Sequence, residues 1–161
     1  EWVFARASGI CVDSKDHVFV VNEGGLIPNT RHTAEVAPPI MEFDPAGNLL
    51  NSWGDREVLP DHPHGCYFDT HGNIWFAGNQ DAIVQGWTSD GTLLLQIGKK
   101  KQFDTDDGTA KGKALNDSHT KLNEPSGVAV DPANGDIYVS DGYGNSRVVV
   151  FDSKGNFLRQ G

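Results

Sequence analysis

Ser126-Gly127-Val128-Ala129-Val130-Asp131, then Pro132-Ala133-Asn134-Gly135, then Asp136-Ile137-Tyr138-Val139-Ser140-Asp141 reads as two short apolar strands joined by a tight turn. The same unit occurs twice earlier. Ser8-Gly9-Ile10-Cys11-Val12-Asp13 precedes His17-Val18-Phe19-Val20-Val21-Asn22, and His64-Gly65-Cys66-Tyr67-Phe68-Asp69 precedes Asn73-Ile74-Trp75-Phe76-Ala77-Gly78. Each copy closes on a similar hairpin, Phe43-Asp44-Pro45-Ala46-Gly47-Asn48, Thr88-Ser89-Asp90-Gly91-Thr92 and Phe151-Asp152-Ser153-Lys154-Gly155-Asn156. A unit of this size written three times marks a repeat architecture whose members bury their faces by stacking on each other.

Four strands fit each copy. They are expected at 8–13, 17–22, 38–44 and 48–53, then at 65–69, 73–78, 81–88 and 92–97, then at 127–131, 136–141, 145–152 and 156–160. The fold class is therefore all-β, a β-propeller segment over 1–161 with blade one at 8–53, blade two at 64–98 and blade three at 126–161. Asp13, Asp69 and Asp131 recur in register at the ends of the inner strands, which suits an Asx-type turn. The aromatic residues Trp53, Trp75, Trp87, Phe43, Phe68, Phe76 and Phe151 suit packing between blades. Three blades close no ring. A second copy pairing as a homodimer, or further sequence, is expected to complete one.

The shared glycines are 56 and 62 residues apart, longer than the ~40–50 of simple propeller repeats. Two insertions account for the excess, Glu23 to Ala37 and Lys99 to Leu122. Each reads either as a solvated loop or as a carrier of binding residues on a rigid scaffold. Asp104-Thr105-Asp106-Asp107-Gly108 resembles a calcium loop, but glycine falls where the third alternate acid is required.

Composition narrows the partners. The 13 Lys and Arg against 22 Asp and Glu give a formal charge of −9, which disfavours nucleic acid. No apolar run approaches about 18 residues, so no membrane span is expected. No basic segment followed by an apolar one opens the chain, so no signal peptide is visible. Counted from the shared glycine, Cys11 falls at the second position and Cys66 at the first position of equivalent strands. Their side chains point to opposite faces, and a pair of buried free thiols is expected.

Three stretches carry a family resemblance: Ala7 to Lys15, Pro63-His64-Gly65 with Asp69 to Trp75, and Pro125 to Asp131 with Ser140-Asp141-Gly142-Tyr143-Gly144-Asn145-Ser146-Arg147. Together they resemble the NHL-repeat propellers, and within these the peptidyl-α-hydroxyglycine α-amidating lyases and their bacterial relatives. The resemblance implies six blades, an exported or extracellular setting, and a channel zinc held by three histidines. His64 matches the first of these histidines; the other two would lie in later blades. Tyr143 matches the tyrosine proposed as catalytic base. An arginine that faces substrate in the family falls at Glu23, a reversal of charge that argues against lyase activity. A family cysteine pair falls at Asn123 and Gly144.

On chemistry alone, His64 stands where Ser8 and Ser126 stand in the other copies, at the mouth of an inner strand. A neutral imidazole there is a good zinc ligand, and His62 in Asp61-His62-Pro63-His64 is a second candidate. Tyr143 acts as a base only beside a cation, and Arg147 is the candidate, although Arg147 also suits a structural tie between elements. The expected function is a scaffold binding a peptide or small molecule at the loop-bearing channel face. The alternative is a metal-dependent lyase, with zinc, or calcium, as the ion.

Overall fold

The computed structural model describes residues 2–23 and 35–161. Trp2–Val3 (β1) pairs in parallel with Glu35–Val36 (β4), a contact the repeat pattern does not announce. Blade one comprises Arg6–Val12 (β2), Val18–Glu23 (β3), Ile40–Phe43 (β5) and Leu49–Trp53 (β6), hydrogen-bonded in that order. Blade two comprises Pro63–Phe68 (β7), Asn73–Gly78 (β8), Ile83–Thr88 (β9) and Leu93–Ile97 (β10). Blade three comprises Gly127–Val130 (β11), Ile137–Asp141 (β12), Arg147–Phe151 (β13) and Phe157–Gln160 (β14). All pairings within the blades are antiparallel. The three four-stranded sheets and their order match the expectation from the repeats.

The turn aspartates behave as their positions require. Asp13 Oδ1 accepts from the Lys15 and His17 amides, Asp69 Oδ1 from His71 and Asn73, and Asp131 Oδ1 from Ala133. Between blades one and two the core holds Phe19, Val21, Ile40, Ile74, Phe76 and Trp87. Between blades two and three it holds Trp75, Val84, Val139, Val149 and Phe151. Phe19 meets Phe68 edge to face at 4.8 Å, and Trp53 lies 5.6 Å from Trp87. At the outer faces of the end blades apolar side chains stand in solvent, notably Ile10 at 69% and Val12 at 52% exposure. Among the described residues, no helix is long and apolar enough to cross a membrane.

Two expectations are corrected. Cys11 and Cys66 form a disulfide, with Cα atoms 5.8 Å apart. The two side chains do point to opposite faces of their strands, but stacked blades meet front to back, so residues on opposite faces of equivalent strands are the ones that touch. Second, the solvated-loop reading of Lys99 to Leu122 holds only in part: many of its residues are exposed, but the segment is anchored. Phe103 bridges to Leu122 and Thr105 to Ala114, and Phe103, Asp104 and Leu122 are buried. The first insertion lies mostly outside the described residues.

Candidate functional site

At the start of β7 the chain bulges, so that Gly65 and Cys66 together stand opposite one residue of β8. Gly65 takes φ +67°, a left-handed conformation that glycine adopts without strain. The bulge presents His64 toward blade three. Its Nδ1 lies 2.8 Å from the Ser126 carbonyl and its Nε2 lies 3.3 Å from the Tyr143 hydroxyl. A carbonyl only accepts, so Nδ1 carries the proton. Neutral Nε2 then offers its lone pair, and the Tyr143 hydroxyl donates to it. The two rings meet edge to face at 5.4 Å.

Tyr143 sits in the turn between β12 and β13. Asn123 fixes that turn: its carbonyl accepts the Gly144 and Asn145 amides, while Tyr143 N donates to Glu124 O. The phenol remains 62% exposed, open to a ligand. Beside it the Ser126 and Ser140 hydroxyls are 3.2 Å apart. Ser8, the counterpart of His64 in blade one, has a buried Oγ with no hydrogen-bond partner.

The other sequence candidates go elsewhere. Arg147 is buried and all three of its guanidinium nitrogens are engaged. Nε donates to Asp141 at 3.0 Å, Nη2 pairs with Asp104 at 3.1 Å and donates to Lys121 O at 2.9 Å, and Nη1 donates to Gln160 at 2.8 Å. Tyr143 is not among its partners, so the structural tie is the role that the geometry supports. His62 does not join His64. It lines a cavity between blades one and two, and its Nδ1 is buried there without a partner. Glu23 ends β3 almost buried and pairs with Arg6 Nη1 at 3.1 Å across the hairpin. The acid at the family arginine position therefore holds a guanidinium, and Arg6 is mostly exposed. Strand register, Arg6 opposite Glu23, was the signal that could have shown this.

The donor set bears directly on a metal. His64 fits one zinc ligand, since the Ser126 carbonyl fixes the tautomer and leaves the lone pair on Nε2, where a metal would displace the hydrogen bond from Tyr143. Catalytic zinc takes three protein ligands. Among the described residues, three ligating groups converge only at Asp13, His17 and Glu42, at the other end of the inner strand, where His17 Nδ1 already contacts Glu42 at 2.8 Å. The described residues thus do not complete a channel zinc site. In the acidic stretch, Asp104, Asp106 and Asp107 each accept backbone amides of their own insertion.

Three stacked antiparallel four-stranded blades with a polar mouth define a β-propeller segment. The NHL repeat family matches residues 122–151. The mouse peptidyl-glycine alpha-amidating monooxygenase is 32% identical over 96% of this chain, which spans 16% of that protein. The Drosophila melanogaster peptidyl-alpha-hydroxyglycine alpha-amidating lyase 2 is 29% identical over 70% of the chain and 24% of its own length. Among solved structures, a streptogramin B lyase superimposes with TM-score 0.60 at 16% identity over 94% of this chain and 39% of its own. Virginiamycin B lyase from Staphylococcus aureus gives 0.58 at 18%, over 96% and 40%. These structural likenesses speak for the fold. The chain thus carries an NHL repeat in a β-propeller fold and is related in sequence to the amidating monooxygenases and lyases.

Proposed function

We propose that this propeller segment binds a peptide or small polar ligand at the channel mouth, with His64 and Tyr143 as its contacts. The observation that carries this reading is the His64 to Tyr143 contact. Two residues 79 positions apart and from different blades meet through their polar atoms, and one of them stays open to solvent. A phenol hydroxyl both donates and accepts, so the exposed Tyr143 suits polar groups of either kind. Calorimetric titration with short peptides ending in α-hydroxyglycine, in a C-terminal amide and in a free carboxylate tests it. Binding should be saturable and weaken at least about tenfold in Tyr143→Phe and His64→Ala, the loss expected for a hydrogen-bonded contact. Equal affinity in both variants would sink the reading.

The lyase reading is favoured by the same pair, since a tyrosine hydrogen-bonded to an imidazole is positioned to relay a proton. The amidating relatives support it, and Glu23 counts against it. The described residues bring one candidate zinc ligand to the channel mouth, and further blades, whether of a second copy or of a longer chain, would be a source of completing ligands. The exposed Ile10 and Val12 suit such neighbours. Native mass spectrometry reports assembly and metal together: a zinc-bearing dimer would favour ring closure by a second copy, and glyoxylate release from the hydroxyglycine peptide would establish the reaction.

A further inference from the structure

Away from the channel mouth, the inner hairpin of blade one carries a side-chain cluster that its turn does not require. Asp13 follows β2, His17 precedes β3, and Glu42 stands in β5 opposite Phe19. One ligating atom from each lies within 4.8 Å of the other two. His17 Nδ1 is 2.8 Å from Glu42 Oε1 and 3.6 Å from Asp13 Oδ2. Ligands about 2.1 Å from a shared ion stand about 3.0 Å apart at right angles and about 3.4 Å apart in a tetrahedron, so the two spacings bracket both geometries.

The other repeats show what the turn itself needs. In each inner hairpin the aspartate Oδ1 accepts turn amides, and neither the His17 nor the Glu42 side chain takes part in that. In blade two the residue four beyond the aspartate is Asn73. Its Nδ2 donates to Asp69 Oδ2 at 3.0 Å, and Trp75 Nε1 donates to the same oxygen at 3.0 Å. The Asp44 and Asp152 turns use Asn48 and Asn156 alike. Blade one has His17 at that place and Phe19 in register with Trp75. Among the described residues, Asp13 Oδ2 accepts no hydrogen bond, while His17 turns to Glu42.

Glu42 is equally particular to this blade. Opposite the same strand position, blade two has Gly86 and blade three has Val150. Blade one therefore exchanges an amide donor for an imidazole and sets a second carboxylate against it. The two amides on Asp13 Oδ1 fix that carboxylate, the support that ligating carboxylates ordinarily have. The side chains of Asp13, Glu42 and His17 are 13%, 16% and 23% exposed, screened from bulk water yet reachable from it.

We propose that Asp13 Oδ2, Glu42 and His17 Nδ1 form a site for one divalent ion that takes mixed nitrogen and oxygen ligands, as zinc does, tying the β2–β3 turn to β5. Imidazole favours such an ion over magnesium or calcium, which prefer oxygen throughout. The two carboxylates balance its charge. On binding, the proton between His17 Nδ1 and Glu42 leaves that nitrogen, and the neutral imidazole keeps its proton on Nε2. The site is separate from the channel mouth, since His64 and Tyr143 are not among its ligands.

Zinc and magnesium, titrated calorimetrically into the chelator-treated full chain, test the proposal. Zinc should bind with Kd below about 100 μM and magnesium at least about tenfold more weakly. His17→Asn installs the residue that blade two carries at this place, so the turn it makes has a precedent in the same chain. It should weaken zinc at least about tenfold, as should Glu42→Gln, while His64→Ala should retain it. Zinc should also raise the thermal midpoint of the parent and not that of His17→Asn. Absence of saturable zinc binding, undiminished binding in folded His17→Asn, or loss of binding in His64→Ala would overturn the proposal. Imidazole nitrogen shifts on zinc addition to the parent decide the matter even if a variant fails to fold: His17 should move, and an unmoved His17 would equally overturn it.

Discussion

Cys11 of β2 and Cys66 of β7 are joined by a disulfide that staples the inner strands of blades one and two across 55 residues of chain. Closing a loop of that length restricts the unfolded chain by about 4 kcal/mol in the chain-entropy picture. Reduction, or Cys11→Ser with Cys66→Ser, should therefore cost about 2–4 kcal/mol and lower the thermal midpoint by roughly 5–15 °C. Thiol titration of the unreduced, denatured protein should find no free cysteine. Two free thiols would refute the bridge.

The bridge also marks where sequence reading stopped. Blade order, strand positions and turn aspartates were all legible, because each follows from local periodicity that repeats three times. The meeting of His64 with Tyr143 was half legible: both residues stood out, and their proximity came only with the packing of blade two on blade three. The disulfide, the Arg6 to Glu23 pair and the cavity under residues 54–62 depend on how one sheet faces the next. Alternation within a strand gives the face, but stacking decides which faces meet.

Arg147 anchors the second insertion to blade three through Asp104 and Asp141, both buried. Asn145 Nδ2 also reaches Asp104 at 3.1 Å and Asp141 at 2.8 Å. Removing one partner of a buried ion pair leaves an uncompensated charge, at a cost of about 3–5 kcal/mol. Arg147→Ala should lower the denaturant midpoint accordingly and open Phe103 and Leu122 to hydrogen exchange. Unchanged stability would show that the insertion is held without this tie.

Asp69 and Asp141 should give opposite pH signatures. Burial pushes Asp69 up, but hydrogen bonds from Trp75 Nε1, Asn73 and the His71 amide outweigh it and hold its carboxyl below the ordinary 3.8. The stability it contributes is present above 3.8 and is lost as pH falls through its lower folded value. Asp141 is raised, burial winning over the Asn123 amide, Asn145 and Arg147. Its contribution is complete below 3.8 and declines as pH rises from there through its folded value. Denaturant midpoints measured from pH 2 to 6 should show a shallower acid loss in Asp69→Asn than in the parent. Identical acid limbs would refute the assignment.

Asn123 lies directly over Gly144, and a Cβ on Gly144 would overlap the Asn123 side-chain amide. Gly144 N donates to the Asn123 carbonyl at 3.2 Å, so the two backbones already touch. Gly144→Ala alone should destabilise, because Asn123 must leave its contact with Asn145, and overpacking of this kind costs about 1–3 kcal/mol. Replacing both residues by cysteine removes the overlap and sets two thiols where the amide was. The double variant should oxidise to a second disulfide, visible as a loss of two mass units and resistant to alkylation before reduction. It should also be more stable oxidised than reduced, although the gain is limited by the short loop of 22 residues that it closes. Two alkylatable thiols under oxidising conditions would show that the turn bearing Tyr143 does not hold Gly144 against Asn123 in the way described, and would weaken the placement of Tyr143 against His64 along with it.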